Sequence, residues 1–221
     1  LCVCAESQGR EGADNRSYGD TRNRTARDSA VHCSSSGDGA FALAPLALPQ
    51  SYSPVALGTS EAAAQGVAGA WVARLGFVMF GLAVLGICVL RHQSWPPLTT
   101  GLHGGFGVGM ILVAVFSHAP WETGVPYVEL EDQLHSVFAS VVGFSFIAGV
   151  ASTMFTRRPR TRMGVVGDIA ALLVATTVPL LAGSSLWGAA QRLMFITAAA
   201  WYAAEVQRQR AIDRAATVPR P

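Results

Sequence analysis

Long apolar runs separated by short polar breaks dominate the chain from residue 70 onward. A membrane-spanning helix needs about 20 mainly apolar residues. The pattern predicts such helices over 70–90, 98–117, 133–155, 164–182 and 186–206. Their glycine content would weaken soluble helices, but in lipid small residues let helices approach closely. Pro179 falls near one end of the fourth run, where neighbouring helices can satisfy a kink. The expected fold is therefore all-α, a polytopic transmembrane helical bundle with about five complete spanning helices. Short connections make sequence neighbours antiparallel.

Charge orients the bundle. The break after the third run carries Arg157, Arg158, Arg160 and Arg162, and the tail after the fifth carries Arg208, Arg210, Arg214 and Arg220. Arg91 follows the first run. These three connections share one side if five helices alternate. The opposite side has Glu122, Glu129, Glu131 and Asp132 with no arginine between 117 and 132, and an uncharged turn at 183–185. The positive-inside rule places the arginine side and the C-terminus in the cytoplasm. Trp71, Trp121, Trp187 and Tyr127 fall at the outer interface in this scheme. Trp95, Trp201 and Tyr202 fall toward the inner one, as aromatic belts.

The remaining regions read differently. Residues 1–39 hold five arginines and six acidic residues with little apolar content, which reads as a polar, disordered head. Residues 1–30 lack the apolar core of a secretory signal peptide. Residues 40–69 read as an interfacial segment and extracytoplasmic loop, because the apolar stretch 40–49 is too short to span and holds two prolines. Residues 70–206 form the bundle, and 207–221 a cytoplasmic arginine-rich tail.

Of 221 residues, 51% are hydrophobic and 14% charged, against about 25% charged in soluble domains. All sixteen basic residues are arginine, which suggests a GC-rich bacterial genome and a bacterial inner-membrane setting. The net charge of +2 says little, and no nucleic-acid partner is expected. The expected partner is the lipid bilayer, together with a second copy or another membrane protein through the glycine-rich helix faces. Cys2, Cys4, Cys33 and Cys88 lack zinc-site spacing.

Three stretches resemble a known family. They are LALPQSYSPVALGTSEAAAQG at 46–66, FSHAPWETGVPYVELEDQLHSVFA at 116–139 and GAAQRLMFITAAAWYAAEV at 188–206. Together they resemble the domain-of-unknown-function 998 family of bacterial six-helix membrane proteins. The resemblance implies a complete helix before Leu46, of which only the last ten residues are present. Five helices out of six are then expected. The polar head is either out-of-frame translation or a genuine translocated tail.

Ionisable groups in lipid cost about 2.5 kcal/mol or more at a helix centre, so each needs a reason. His118, Glu122, Asp132 and His135 surround the outer loop, with Gln191 and Arg192 at the matching end of the last helix. This outer-face polar set would bind a divalent cation, relay protons, or simply tie helices and loop together. Arg74 and Arg192 either snorkel to the interface or pair with Glu122 or Asp132. On the inner face, His103 lies among Gly101, Gly104, Gly105, Gly107 and Gly109, whose expected role is close helix packing. Asp168 would pair with Arg160 or Arg162, reach interfacial water, or belong to a proton pathway, and Glu205 would pair with Arg208. Haem at His103 would need a second, facing histidine. Ser136, Ala139, Ser140 and Gly143 form a small-residue stripe, read first as a packing face and second as a cavity lining.

No P-loop, GxSxG, HExxH or CxxCH pattern is present. No residue is therefore assigned as catalytic and no cofactor is predicted. Three readings stand. One is an uncharacterised membrane protein that handles small solutes or lipid. Another is a membrane metalloprotein or enzyme with an outer-face His/acid site. The third is a non-catalytic interaction subunit.

Overall fold

The computed structural model describes residues 44–157 and 160–217, and among them every regular element is a helix. The polar head, its cysteines and the end of the tail lie outside the described residues. A helical turn at 44–47 leads into a loop and the short α1 (Thr59–Ala62). Five longer helices follow: α2 (Ala70–Arg91), α3 (Pro97–Val115), α4 (Glu129–Thr156), α5 (Arg162–Thr177) and α6 (Trp187–Thr217). They close into a bundle in which α2 meets α3, α3 meets α4, α4 meets α5, and α6 returns to α5 and α2.

Local chemistry sets the helix ends. Pro97 opens α3 at a position where a missing N–H costs nothing. The Thr161 hydroxyl accepts the Gly164 N–H at 3.2 Å and caps α5. At the far end of α5, Pro179 cannot donate, and the chain tightens into a 3₁₀ turn over Val178–Leu181. The expected kink is thus a helix end.

Four helices among the described residues are long and apolar enough to cross a membrane: Ala70–Arg91, Pro97–Val115, Glu129–Thr156 and Arg162–Leu181. The fifth predicted span lies in α6. That helix has 31 residues, and at about 1.5 Å per residue it is long enough. It falls below the apolar threshold because it carries Gln191, Arg192 and Glu205, whose side chains are turned onto protein partners.

Glycines bring the backbones together where the predicted packing role applies. A Cβ on Gly81 of α2 would lie 2.6 Å from the Gly107 carbonyl oxygen of α3. A Cβ on Gly109 would lie 2.8 Å from Val142 of α4, and one on Gly105 3.1 Å from Ser145. The Gly105/Gly109 spacing is therefore the α3–α4 seam. Gly101 and Gly104 face open space, so they do not share that role.

The core of the bundle is aromatic. Phe80 and Phe106 meet edge to face at 5.5 Å, and Phe106 and Phe146 lie 5.6 Å apart. Below them His103 is fully buried, with Trp95 and Trp201 rings 4.5 and 5.2 Å from its own. Trp71 stays exposed as a belt residue would. Trp95, Trp201 and Tyr202 are buried instead, because the His103 ring gives them a packing partner inside the protein.

Gly149 makes room for that ring: a Cβ there would lie 2.7 to 3.1 Å from three His103 ring atoms. Gly149→Ala is expected to destabilise the protein by about 1–3 kcal/mol through overpacking. Gly101→Ala should stay within about 0.5 kcal/mol, since it meets nothing. Thermal unfolding of both variants in detergent tests the contrast.

Candidate functional site

Two polar centres stand at opposite ends of the bundle with a cavity between them. At the arginine end, Asp168 of α5 and Glu205 of α6 have fully buried side chains. Arg157, just past α4, reaches both: its guanidinium meets Asp168 at 2.6 and 3.1 Å and Glu205 at 2.5 Å. Arg91 at the end of α2 adds a 3.0 Å contact to Glu205, also bonds Gln209, and lies over the Trp95 ring. Arg208 completes the set around Glu205. The Trp201 indole donates to Asp168 at 2.9 Å.

His103 belongs to the same end. Its Nε2 lies 3.1 Å from the Thr153 hydroxyl, and its Nδ1 lies 2.9 Å from the Tyr202 hydroxyl. Thr153 donates its proton to the Gly149 carbonyl, so it accepts from His103. The network therefore assigns the His103 proton to Nε2 and makes Tyr202 a donor to Nδ1. With both nitrogens engaged and both ring faces covered, His103 is not placed as a haem ligand.

At the other end, the loop 48–69 and α1 form a cap over the helices. Gln65 is its anchor: its amide nitrogen donates to the Ser117 and Val128 carbonyls at 2.8 and 3.1 Å, and its oxygen accepts the Val128 N–H at 2.7 Å. Gln191 of α6 accepts from the Thr59 N–H and hydroxyl at 2.6 and 2.9 Å. Arg192 donates to the carbonyls of Pro54, Leu57 and Gly188 and to the Tyr52 hydroxyl. Burial pushes the Tyr52 phenol above its ordinary pKa, and the Arg192 hydrogen bond and charge draw it partly back. Arg74 binds the Ala63 and Ala64 carbonyls rather than an acid.

The predicted outer-face residues divide. His118 and His135 meet with ring centroids 5.3 Å apart. His135 Nδ1 lies 2.8 Å from the Phe116 carbonyl and 3.2 Å from that of Val113, so it is the donor there, and Nε2 accepts from the Ser60 hydroxyl at 3.0 Å. His118 Nδ1 donates to the Ala119 carbonyl at 2.7 Å and lies 3.8 Å from Asp132, whose carboxylate accepts the Ala119 N–H. Glu122 turns away and accepts from Ser51 at 2.7 Å. Among the described residues, no three His, Cys, Asp or Glu side chains are placed to hold a metal ion.

Between the two ends lies a cavity of about 660 Å³. Phe77, Phe106, Met110, Phe146 and Phe195 form its apolar body, and Ser60, Glu61, His118, His135 and Gln191 its polar end. Asp132, Arg192 and Glu122 are not in the lining. Ser136, Ala139, Ser140 and Phe144 on α4 line it while remaining exposed, as do Thr176 and Pro179 across from them. The cavity is therefore open between α4 and α5. The small-residue stripe of α4 is its wall, not a packing face: a Cβ on Gly143 would meet nothing within 4 Å.

Sequence reasoning missed the partners at the arginine end. Asp168 pairs with Arg157 rather than Arg160 or Arg162, and Glu205 binds Arg91 and Arg157 besides the expected Arg208. The available signal was that Arg91, Arg157, Asp168 and Glu205 lie at the same end of antiparallel helices. Glu61 and Gln65 were also missed. The run of small residues between them is the trace of Gln65's burial.

Apolar spans, glycine seams and internally paired charges define a multi-pass integral membrane protein of the helical-bundle class. A family model described as a protein of unknown function, DUF998, matches residues 39–206. The chain belongs to that family. No curated protein and no solved structure gives a significant match.

Removing one partner of a buried charge pair leaves the other uncompensated. Arg157→Leu is expected to cost about 3–5 kcal/mol. Arg208→Ala should cost less than about 1 kcal/mol, because Arg208 is partly exposed and Glu205 keeps two other partners. Thermal unfolding in detergent compares the two.

Proposed function

We propose that this protein binds an amphiphile, a lipid or lipid-like molecule, in the cavity between α4 and α5. The observation that carries the reading is the shape and chemistry of that cavity. Its volume suits a small ligand, its body is aromatic and aliphatic, and its polar groups gather at one end. Its mouth lies between two helices that meet lipid, so an apolar chain can enter without crossing water. The metal-site reading has less support, since His135 and His103 have both ring nitrogens engaged.

Gly143 offers a test, because a large side chain there projects into open space. Gly143→Phe is expected to lose most co-purifying amphiphile in native mass spectrometry with lipid analysis, while its thermal unfolding stays close to wild type. Equal lipid occupancy in both proteins would overturn the reading.

We further propose a bacterial inner-membrane setting with five crossings and a cytoplasmic C-terminus. The arginines at one end of the bundle and the acidic 117–132 connection at the other support it. A C-terminal green fluorescent protein fusion should fluoresce, and a C-terminal alkaline phosphatase fusion should be inactive. The reverse pattern would invert the topology.

A further inference from the structure

The head group of the amphiphile is legible in the polar end of the cavity. Of all the residues lining it, Glu61 alone carries a formal charge when histidine is neutral. One Glu61 oxygen accepts the Gly58 N–H at 2.7 Å. No described cation stands within ion-pair distance of this carboxylate. The arginines of the same end are engaged elsewhere: Arg74 with the Ala63 and Ala64 carbonyls, Arg192 with three carbonyls and Tyr52. Neither lines the cavity.

The neighbouring groups add acceptors. His118 uses its Nδ1 proton on the Ala119 carbonyl, which leaves Nε2 as an acceptor. Ser140 donates to the Ser136 carbonyl and keeps only lone pairs. Donors remain on Gln191, Trp187 and Ser136, but none is charged. These groups are contiguous: Glu61 follows Ser60, which holds His135 beside His118, and Gln191 holds Thr59.

We propose that the cavity selects an amphiphile whose head is a protonated amine, with Glu61 as its counter-ion and the apolar chain laid over Phe77, Phe106 and Phe146. A protonated amine has three donors and no acceptor, which complements this lining. An anionic head would face the Glu61 carboxylate in a partly desolvated site and is disfavoured. The assignment rests on the amphiphile reading above.

The test uses the full chain in a neutral detergent and three probes with the same eighteen-carbon chain, namely oleylamine, oleyl alcohol and oleate. Binding is read by native mass spectrometry for wild type and Glu61→Gln. The glutamine keeps an oxygen for the Gly58 N–H, and micelle partitioning of each probe is common to both proteins. Oleylamine is expected to bind wild type about tenfold more tightly than the variant, a factor within reach of one partly buried charge contact. Oleyl alcohol should bind both alike, and oleate should bind the variant better. If E61Q does not fold, Ser136→Lys, a cation at an exposed rim position, should remove the amine preference instead. Equal oleylamine binding by wild type and variant, with oleyl alcohol still bound, overturns the amine head and leaves the amphiphile reading standing. Binding of no probe overturns both.

Discussion

Arg157 joins two buried carboxylates that belong to different helices, and the arrangement of the bundle depends on that bridge. Asp168 and Glu205 have no exposed surface. Burying carboxylates away from water is costly without close cations and hydrogen bonds. Arg157 supplies them from the end of α4, with Arg91 from α2, Arg208 from α6 and the Trp201 indole. Four helices are thereby fixed at one end. His103, bonded to Thr153 and Tyr202, ties α3 to α4 and α6 just above. The network also accounts for the polar residues of α6, which face partners across the bundle rather than lipid.

The opposite end is held by a different kind of contact. There the long side chains of Gln65, Arg74 and Arg192 bind backbone carbonyls of the cap and connecting loops. Buried loop backbone requires such partners, since an unpaired polar group away from water is costly. The cap consequently lies over the helix ends with Ala62, Ala63 and Ala64 almost fully buried. With one end closed by charge and the other by a hydrogen-bonded cap, the remaining freedom is between α4 and α5. The cavity opens there, where small residues on α4 leave the space unfilled.

Membership of the DUF998 family places the chain without assigning an activity, so the functional argument rests on the cavity. Its chemistry is uneven in an informative way. The histidines predicted as ligands are largely committed to backbone carbonyls and hydroxyls and act as fixed walls. The carboxylate that remains available, Glu61, lies in the short helix α1 of the cap. A binding reading follows from that distribution: where a hydroxyl and an imidazole do meet in the lining, Ser60 on His135, the other ring nitrogen is held by backbone carbonyls rather than by a carboxylate.

Hydropathy alone determined the all-helical membrane architecture and the approximate ends of four spans, because the hydrocarbon core imposes one length and one composition on every crossing. It also marked the Gly105/Gly109 seam and the meeting of His118 with His135, since these follow from neighbouring antiparallel helices. Tertiary structure decided which acid meets which arginine, that Trp95 and Trp201 serve His103 instead of the interface, and that the Ser136–Gly143 stripe lines a cavity. Those outcomes depend on rotation of each helix about its axis and on side chains far apart in sequence. A periodic pattern gives the face of a helix but not the partner opposite it. Asp168 could have reached several arginines at the same end, and only the packing of α4 against α5 and α6 selected Arg157.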